Sequence, residues 1–185
     1  SIITNRSKGP GKHVLHLPDA KGHIKGAHIQ DYLLEKSRVV RQGPGERNYH
    51  VFFMLLASGD DELLRELHLG GKGPGDFSLT RGSTYDVANR NESEEYQDMM
   101  DALDTMRFSD DDVRAVLGIV GGIMHLSNVE IVQGDKGEDS TKVVHTPALG
   151  HAAELLGTSA DGLEQAICFK EGHFGTGAAA QHIMV

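Results

Sequence analysis

Apolar positions recur along this chain with two different periods. Residues 13–17, HVLHL, and 24–34, IKGAHIQDYLL, read as two strands joined by the turn-rich run Pro18-Asp19-Ala20-Lys21-Gly22. Gly43-Pro44-Gly45 breaks what precedes it, and a helical period begins. Glu46 opens the first helix, with Tyr49, Phe52, Phe53 and Leu56 on its inward face. Asp60, Asp61 and Glu62 precede Leu63, Leu64 and Leu67, a short amphipathic helix whose acids suit the positive end of the dipole. Ser93 caps a helix with Tyr96, Met99, Met100, Leu103 and Met106 on one side. Ser109 caps the next, with Val113, Val116, Leu117, Val120, Ile123 and Met124 inward. Its glycines, Gly118, Gly121 and Gly122, each cost about 1 kcal/mol against alanine in a helix interior, so another backbone is expected to approach there. Val129-Glu130-Ile131 starts a short strand, and residues 133–141 form a polar surface loop. Pro147 begins a helix through Leu156 that Gly157 stops. A last helix, 159–169, turns Leu163, Ala166 and Ile167 inward. The pattern is mostly helical with one two-strand hairpin.

Composition narrows the classes. The 185 residues are 38% hydrophobic and 24% charged, enough for one good core in an ordinary globular chain. A formal net charge of -9 argues against a nucleic-acid partner, and no apolar run is long enough for a transmembrane segment. Cys168 is alone, so no internal disulfide forms; it reads as a small core residue in a reducing compartment. Ser1 and Val185 both read as cuts through a larger protein.

Several chemical motifs fail on their own terms. Gly11-Lys12 is followed by His13, not Ser or Thr, and Arg6 stands where a phosphate-cradling G-x-x-x-x-G-K-[ST] loop needs its first glycine. The flexible loop 70–75, GGKGPG, is no dinucleotide fingerprint, because Pro74 interrupts it and no strand precedes it. His13, His16, His23 and His28 match no zinc spacing and read as strand histidines on a polar face. Asp60, Asp61 and Glu62 read as helix capping, not paired catalytic acids.

The least ordinary stretch is the charged strip Glu35-Lys36-Ser37-Arg38 between Tyr32-Leu33-Leu34 and Val39-Val40. LLEKSRVV followed by GERNYHVFF closely resembles a signature of the myosin motor domain, at the exit of a central-sheet strand and the entry of the next helix. IVGGIMHLSNVEI at 119–131 and AAAQHI at 178–183 extend the resemblance, which covers essentially the whole chain. It implies an α/β fold of the P-loop NTPase-like motor type, of which residues 13–34 supply strands of the central sheet. Residues 35–185 would belong to a helical upper subdomain ending in an actin-facing loop. Myosins commonly have Gly where Ser127 stands, so strain at that helix exit is expected.

The resemblance also implies chemistry. Residues 1–12 occupy the place of switch I, typically N-x-N-S-S-R-F-G-K, where an Asn touches phosphate, a Ser ligates Mg²⁺ and an Arg pairs with a switch II Glu. Without gaps, Arg6 replaces the second Asn, Lys8 the Mg²⁺ ligand and Gly9 the Arg. With one residue inserted at Gly9-Pro10, Asn5 and Ser7 fall on phosphate and Mg²⁺, and Lys8 becomes the cation. Ser7 and Lys8 are then the catalytic candidates, and Asn5, Ser7 and Lys8 the nucleotide-binding set, with ATP and Mg as cofactors. Lysine is a point charge and cannot reproduce the two-pronged pair of arginine. Lys170, Glu171 and His173 fall in the loop that reaches toward actin.

The implied function is a segment of an actin-based motor that couples ATP hydrolysis to movement on actin filaments, in the cytoplasm and cytoskeleton. Light chains would attach through a neck outside these residues. The isolated segment is expected to be inactive, because it lacks the phosphate-cradling loop and the switch II acid. The alternative is a catalytically impaired, motor-like module that binds actin or another protein.

Overall fold

The computed structural model describes residues 13–30, 37–43, 45–134, 141–172 and 181–184. Two compact units result, Ser1–Arg41 and Gln42–Val185. In the first, β1 (His13–Pro18) pairs antiparallel with β2 (Ile24–Gln30), His13 lying opposite Gln30 and Leu17 opposite Gly26. The Asp19 carboxylate accepts from the backbone N–H of Lys21 and of His23, closing the connection as a side-chain-capped turn. Residues 31–34, expected to extend the second strand, lie outside the described residues. Ser37–Val40 is a single helical turn, α1, where the sequence suggested a strip leaving a strand; Val40 on it is 81% exposed.

The second unit is helical, with two small hairpins. Its first helix, α2 (His50–Leu56), starts four residues later than Glu46. Residues 46–49 are tied elsewhere first. Thr84 donates its N–H to the Glu46 carbonyl, and the buried Asn48 amide donates to the Leu79 carbonyl at 2.6 Å. Tyr49 therefore becomes the residue before the helix and is exposed, while Phe52, Phe53, Met54 and Leu55 are buried.

Two caps hold and one moves. Asp60 accepts from the N–H groups of Glu62 and Leu63 at the start of α3 (Asp61–Glu66). The 70–75 segment is pinned where a flexible loop was expected. Pro74–Asp76 form one 3-10 turn, the Asp76 carboxylate takes the Gly73 N–H, and the Thr80 hydroxyl donates to the Pro74 carbonyl. The turn leads to α4 (Ser78–Arg81). In α5 (Glu92–Thr105) the cap is Asn91, whose side chain accepts from Ser93 and Glu94; Ser93 is already inside the helix. Ser109 and Asp112 form a reciprocal capping box on α6 (Asp110–Leu126).

Tyr96, Leu117 and Met124 join the α2 residues in one core, with Leu63, Leu67, Leu69, Phe77 and Leu79. Val116, expected inward, is exposed because the buried stripe of α6 is narrower and passes through its glycines. Met106, also expected inward, is exposed as the residue that ends α5. A Cβ on Gly122 would stand 2.9 Å from Leu156 Cγ, and one on Gly121 3.5 Å from Leu155 Cδ1. These belong to the end of α7 (Pro147–Leu155) and its cap, so the glycines admit a neighbouring helix, as their cost suggested. Ser127 is unstrained, with ordinary helical angles. Its hydroxyl donates to the Met124 carbonyl and accepts from the Leu79 N–H.

β3 (Ile131–Gln133) and β4 (Thr141–Val143) pair antiparallel, so the polar loop between them joins a hairpin. Residues 135–140 of that loop lie outside the described residues. A second, smaller core gathers Val143, Leu149, Ala152, Ala153, Leu163 and Cys168. It is completed by α8 (Ala160–Cys168), on which Ala166 faces solvent against expectation. Cys168 is buried there as a free thiol. β5 (Phe169–Gly172) follows directly and pairs antiparallel with β6 (Gln181–Met184). No helix among the described residues is long and apolar enough to cross a membrane.

Candidate functional site

Of the residues singled out for chemistry, Asn5, Ser7 and Lys8 lie outside the described residues, as does His173. What the structure gives is their backbone setting. Residues 1–12 precede β1, which pairs with β2 in one register from His13 to Leu17 and shifts by one residue at Pro18. At the other end, Lys170 and Glu171 lie on β5, opposite Ile183 and His182. Lys170 and Glu171 thus stand on a paired strand, where the sequence suggested a loop from 170 onward. AAAQHI supplied a usable signal, because Gln181-His182-Ile183 lies in the returning strand.

The motif that carried the resemblance has a structural explanation of its own. Arg47 lies at its centre and is nearly buried. Its guanidinium donates to the Glu92 carboxylate at 2.7 Å, to the Tyr85 carbonyl at 3.3 Å and to Nδ1 of His50 at 3.0 Å. It also covers the Phe53 ring, 3.8 Å from the centroid. Glu92 takes a second cation, Arg90, at 2.9 Å, and Arg90 reaches Glu95 at 3.2 Å. Burial lowers the His50 pKa, and the nearby Arg90 and Arg47 lower it further, so the ring is held neutral as an acceptor. This network binds the 46–49 segment to α5. No sequence period announces it, since its partners are 45 positions apart.

Two other polar places were not foreseen. An open depression of about 270 Å³ lies between α3, α5 and α6, floored by Leu63, Tyr96 and Val113 and rimmed by Asp60, Asp104 and Asp110. Its acidic rim opposes phosphate binding. On the surface, His145, Asp161 and Glu164 present ligand atoms within 4.8 Å of one another. His145 Nε2 and the Glu164 carboxylate are 2.8 Å apart, which raises the His145 pKa and lowers that of Glu164. That arrangement is an exposed ion pair, with Asp161 in the first turn of α8.

The sequence profile described as myosin head (motor domain) matches residues 2–185. The chain belongs to the myosin head family. Among its relatives, unconventional myosin-Ic of Mus musculus is 37% identical over 172 residues, covering 92% of this chain and 16% of that protein. Unconventional myosin-Ic-A of Xenopus laevis is 34% identical over 171 residues, with the same two shares. Unconventional myosin IC of Drosophila melanogaster is 39% identical over 169 residues, covering 89% of this chain and 16% of its own length. The chain therefore spans about a sixth of the curated relatives it matches. Its helical unit and its hairpins are a piece of an α/β motor domain.

Proposed function

We propose that this chain is the segment of an actin-based motor running from a switch I-like loop to an actin-facing hairpin, in a protein that couples ATP hydrolysis to movement on filaments. The family match over residues 2–185 carries this reading. Residues 1–12 form the phosphate-sensing loop, residues 13–34 central-sheet strands, and residues 35–185 the upper subdomain. The donor set fits an Mg-nucleotide. Asn5 offers an amide N–H to phosphate, Ser7 an oxygen to Mg²⁺, and Lys8 a positive charge. Mg²⁺, when bound, would neutralise phosphate charge, while Asn5 would touch the phosphate and Lys8 would supply the cation in the place of the switch I arginine. Lys170, Glu171 and His173 face actin filaments. Light chains and a cytoskeletal location belong to the same proposal.

Steady-state ATPase of the full-length protein, with and without filamentous actin, tests it. Turnover stimulated by actin is expected, and Ser7→Ala or Lys8→Ala should lower it about a hundredfold, the usual cost of losing one transition-state contact. A second reading, a motor-like binding module without turnover, is favoured by the loss of arginine from the switch I pattern. Nucleotide binding with no hydrolysis would select it.

A further inference from the structure

Three histidines from separate elements of the helical unit meet ring to ring. His68 follows α3 with φ +56°, His125 lies in the last turn of α6, and His151 lies on α7. The His68 and His151 rings stack with centroids 4.0 Å apart and planes within 5°. His125 meets the His151 ring nearly perpendicularly at 5.0 Å and the His68 ring at 6.3 Å. Phe77 packs against His125 at 5.8 Å. His125 is buried, and its Nε2 lies 2.9 Å from the Leu67 carbonyl, so that nitrogen carries the proton and donates.

The charges around the rings are few. Among the described residues Glu154, on α7, places a carboxylate oxygen 3.0 Å from His68 Nε2, and Lys72, in the turn after α3, adds one cation. Neutral imidazoles stack and pack as aromatic rings do. Two protonated rings at this spacing repel, and one carboxylate offsets only one of them.

We propose that the His68–His125–His151 cluster is a proton-sensitive latch, closing α7 onto α6 while His125 and His151 are neutral and loosening that contact when those two rings take up protons. The place suits release. The latch lies at the end of α6 where glycines let Leu155 and Leu156 approach, and where the small second core begins. Burial pushes the His125 ring below the ordinary histidine value, against its bond to the Leu67 carbonyl; His151, His68 and Lys72 push the same way. Burial, then the neighbouring His68, lowers His151 likewise, with Glu154 opposing and Lys72 assisting. Both folded-state values lie below the unfolded one. The stabilisation is therefore complete above about pH 6.5 and is lost as pH falls through the lowered values.

Hydrogen exchange of the full-length protein, read by mass spectrometry at pH 7.5 and 5.5 and corrected for intrinsic rates, tests the latch. Peptides covering α7 should lose about tenfold more protection on acidification than peptides covering α5, which lacks such a cluster. His151→Phe keeps a ring in the stack but accepts no proton, and should remove the excess loss. Parallel loss in α7 and α5 of the unaltered protein overturns the proposal, as does a folded His151→Phe protein that keeps the excess. If His151→Phe fails to fold, His151→Gln takes its place with the same two outcomes.

Discussion

Arg47, nearly buried, and His125, fully buried, are polar residues of the same helical unit, but they are accommodated by opposite means. Arg47 keeps its charge and is surrounded by partners: the Glu92 carboxylate, the Tyr85 carbonyl, His50 and the Phe53 ring. His125 is accommodated by being uncharged, with one carbonyl and three rings about it. An arginine stays protonated across the whole physiological range, so the charge at the centre of the first arrangement is fixed, and its one imidazole, His50, accepts while it stays neutral. Imidazoles titrate close to neutrality, so the second arrangement is conditional. A fixed ionic clasp and a titratable aromatic clasp thus stand in one unit, and they respond to different insults.

The largest expected effect breaks the ionic clasp. Arg47→Ala leaves Glu92 with a partner fewer in a nearly dry setting and strips the Phe53 ring. A loss of about 3–5 kcal/mol is expected in urea unfolding of the full-length protein. That loss should vary little as pH falls below about 6.5, where the imidazole cluster gives up its contribution; an equal pH dependence at both places would dissolve the contrast.

Next comes the helix contact that the imidazole cluster closes. Gly122→Ala sets a methyl 2.9 Å from Leu156 Cγ, and overpacking of this kind costs about 1–3 kcal/mol. Gly150→Ala on α7 meets nothing within 4 Å and should gain up to about 1 kcal/mol from helix propensity. Thermal unfolding of the two variants should therefore shift in opposite directions. Shifts of the same sign would show that α6 and α7 do not press together at Gly122.

A smaller effect locates the start of α5, which carries Glu92. Asn91→Ala removes the side chain that accepts from Ser93 and Glu94 and should cost about 1 kcal/mol by denaturant titration. Ser93→Ala should be close to neutral. The reverse ranking would return the cap to Ser93.

The smallest effect is the exposed counterpart of the clasps. The His145–Glu164 pair raises the imidazole pKa, so its contribution is present at low pH and lost as pH rises through that raised value. The Glu164 partner, lowered, loses its contribution only as pH falls through its own reduced value. His145→Gln should thus change stability slightly near pH 6 and not at pH 8.5, opposite in sense to the imidazole cluster.

Legibility followed sequence distance. The caps at Asp60 and Ser109, the Pro147 start and Gly157 stop of α7, and the β1–β2 hairpin all depend on residues within a few positions of one another, and all are in place. The glycines of α6 announced a close neighbour without saying which. The start of α2 was misread because Glu46 and Asn48 are held by residues 31 to 38 positions away, which no helical period records. β4 was missed because three residues of strand, Thr-Lys-Val, carry almost no alternation. Of the candidate chemistry, Asn5, Ser7 and Lys8 lie outside the described residues and rest on the proposal alone, while the structure gives the paired strands on which Lys170 and Glu171 lie.

The sequence by itself determined the family, the helical periods and the capping chemistry, because each is written in neighbouring residues or in a long continuous pattern. The tertiary structure alone decided which polar groups come together. Arg47 meets Glu92, and His68 meets His125 and His151, across separations at which periodicity carries no information. Burial of a charge is tolerable only beside its partner, and burial of an imidazole only while it stays neutral. Those conditions are set by packing in space, and no count of residues along the chain contains them.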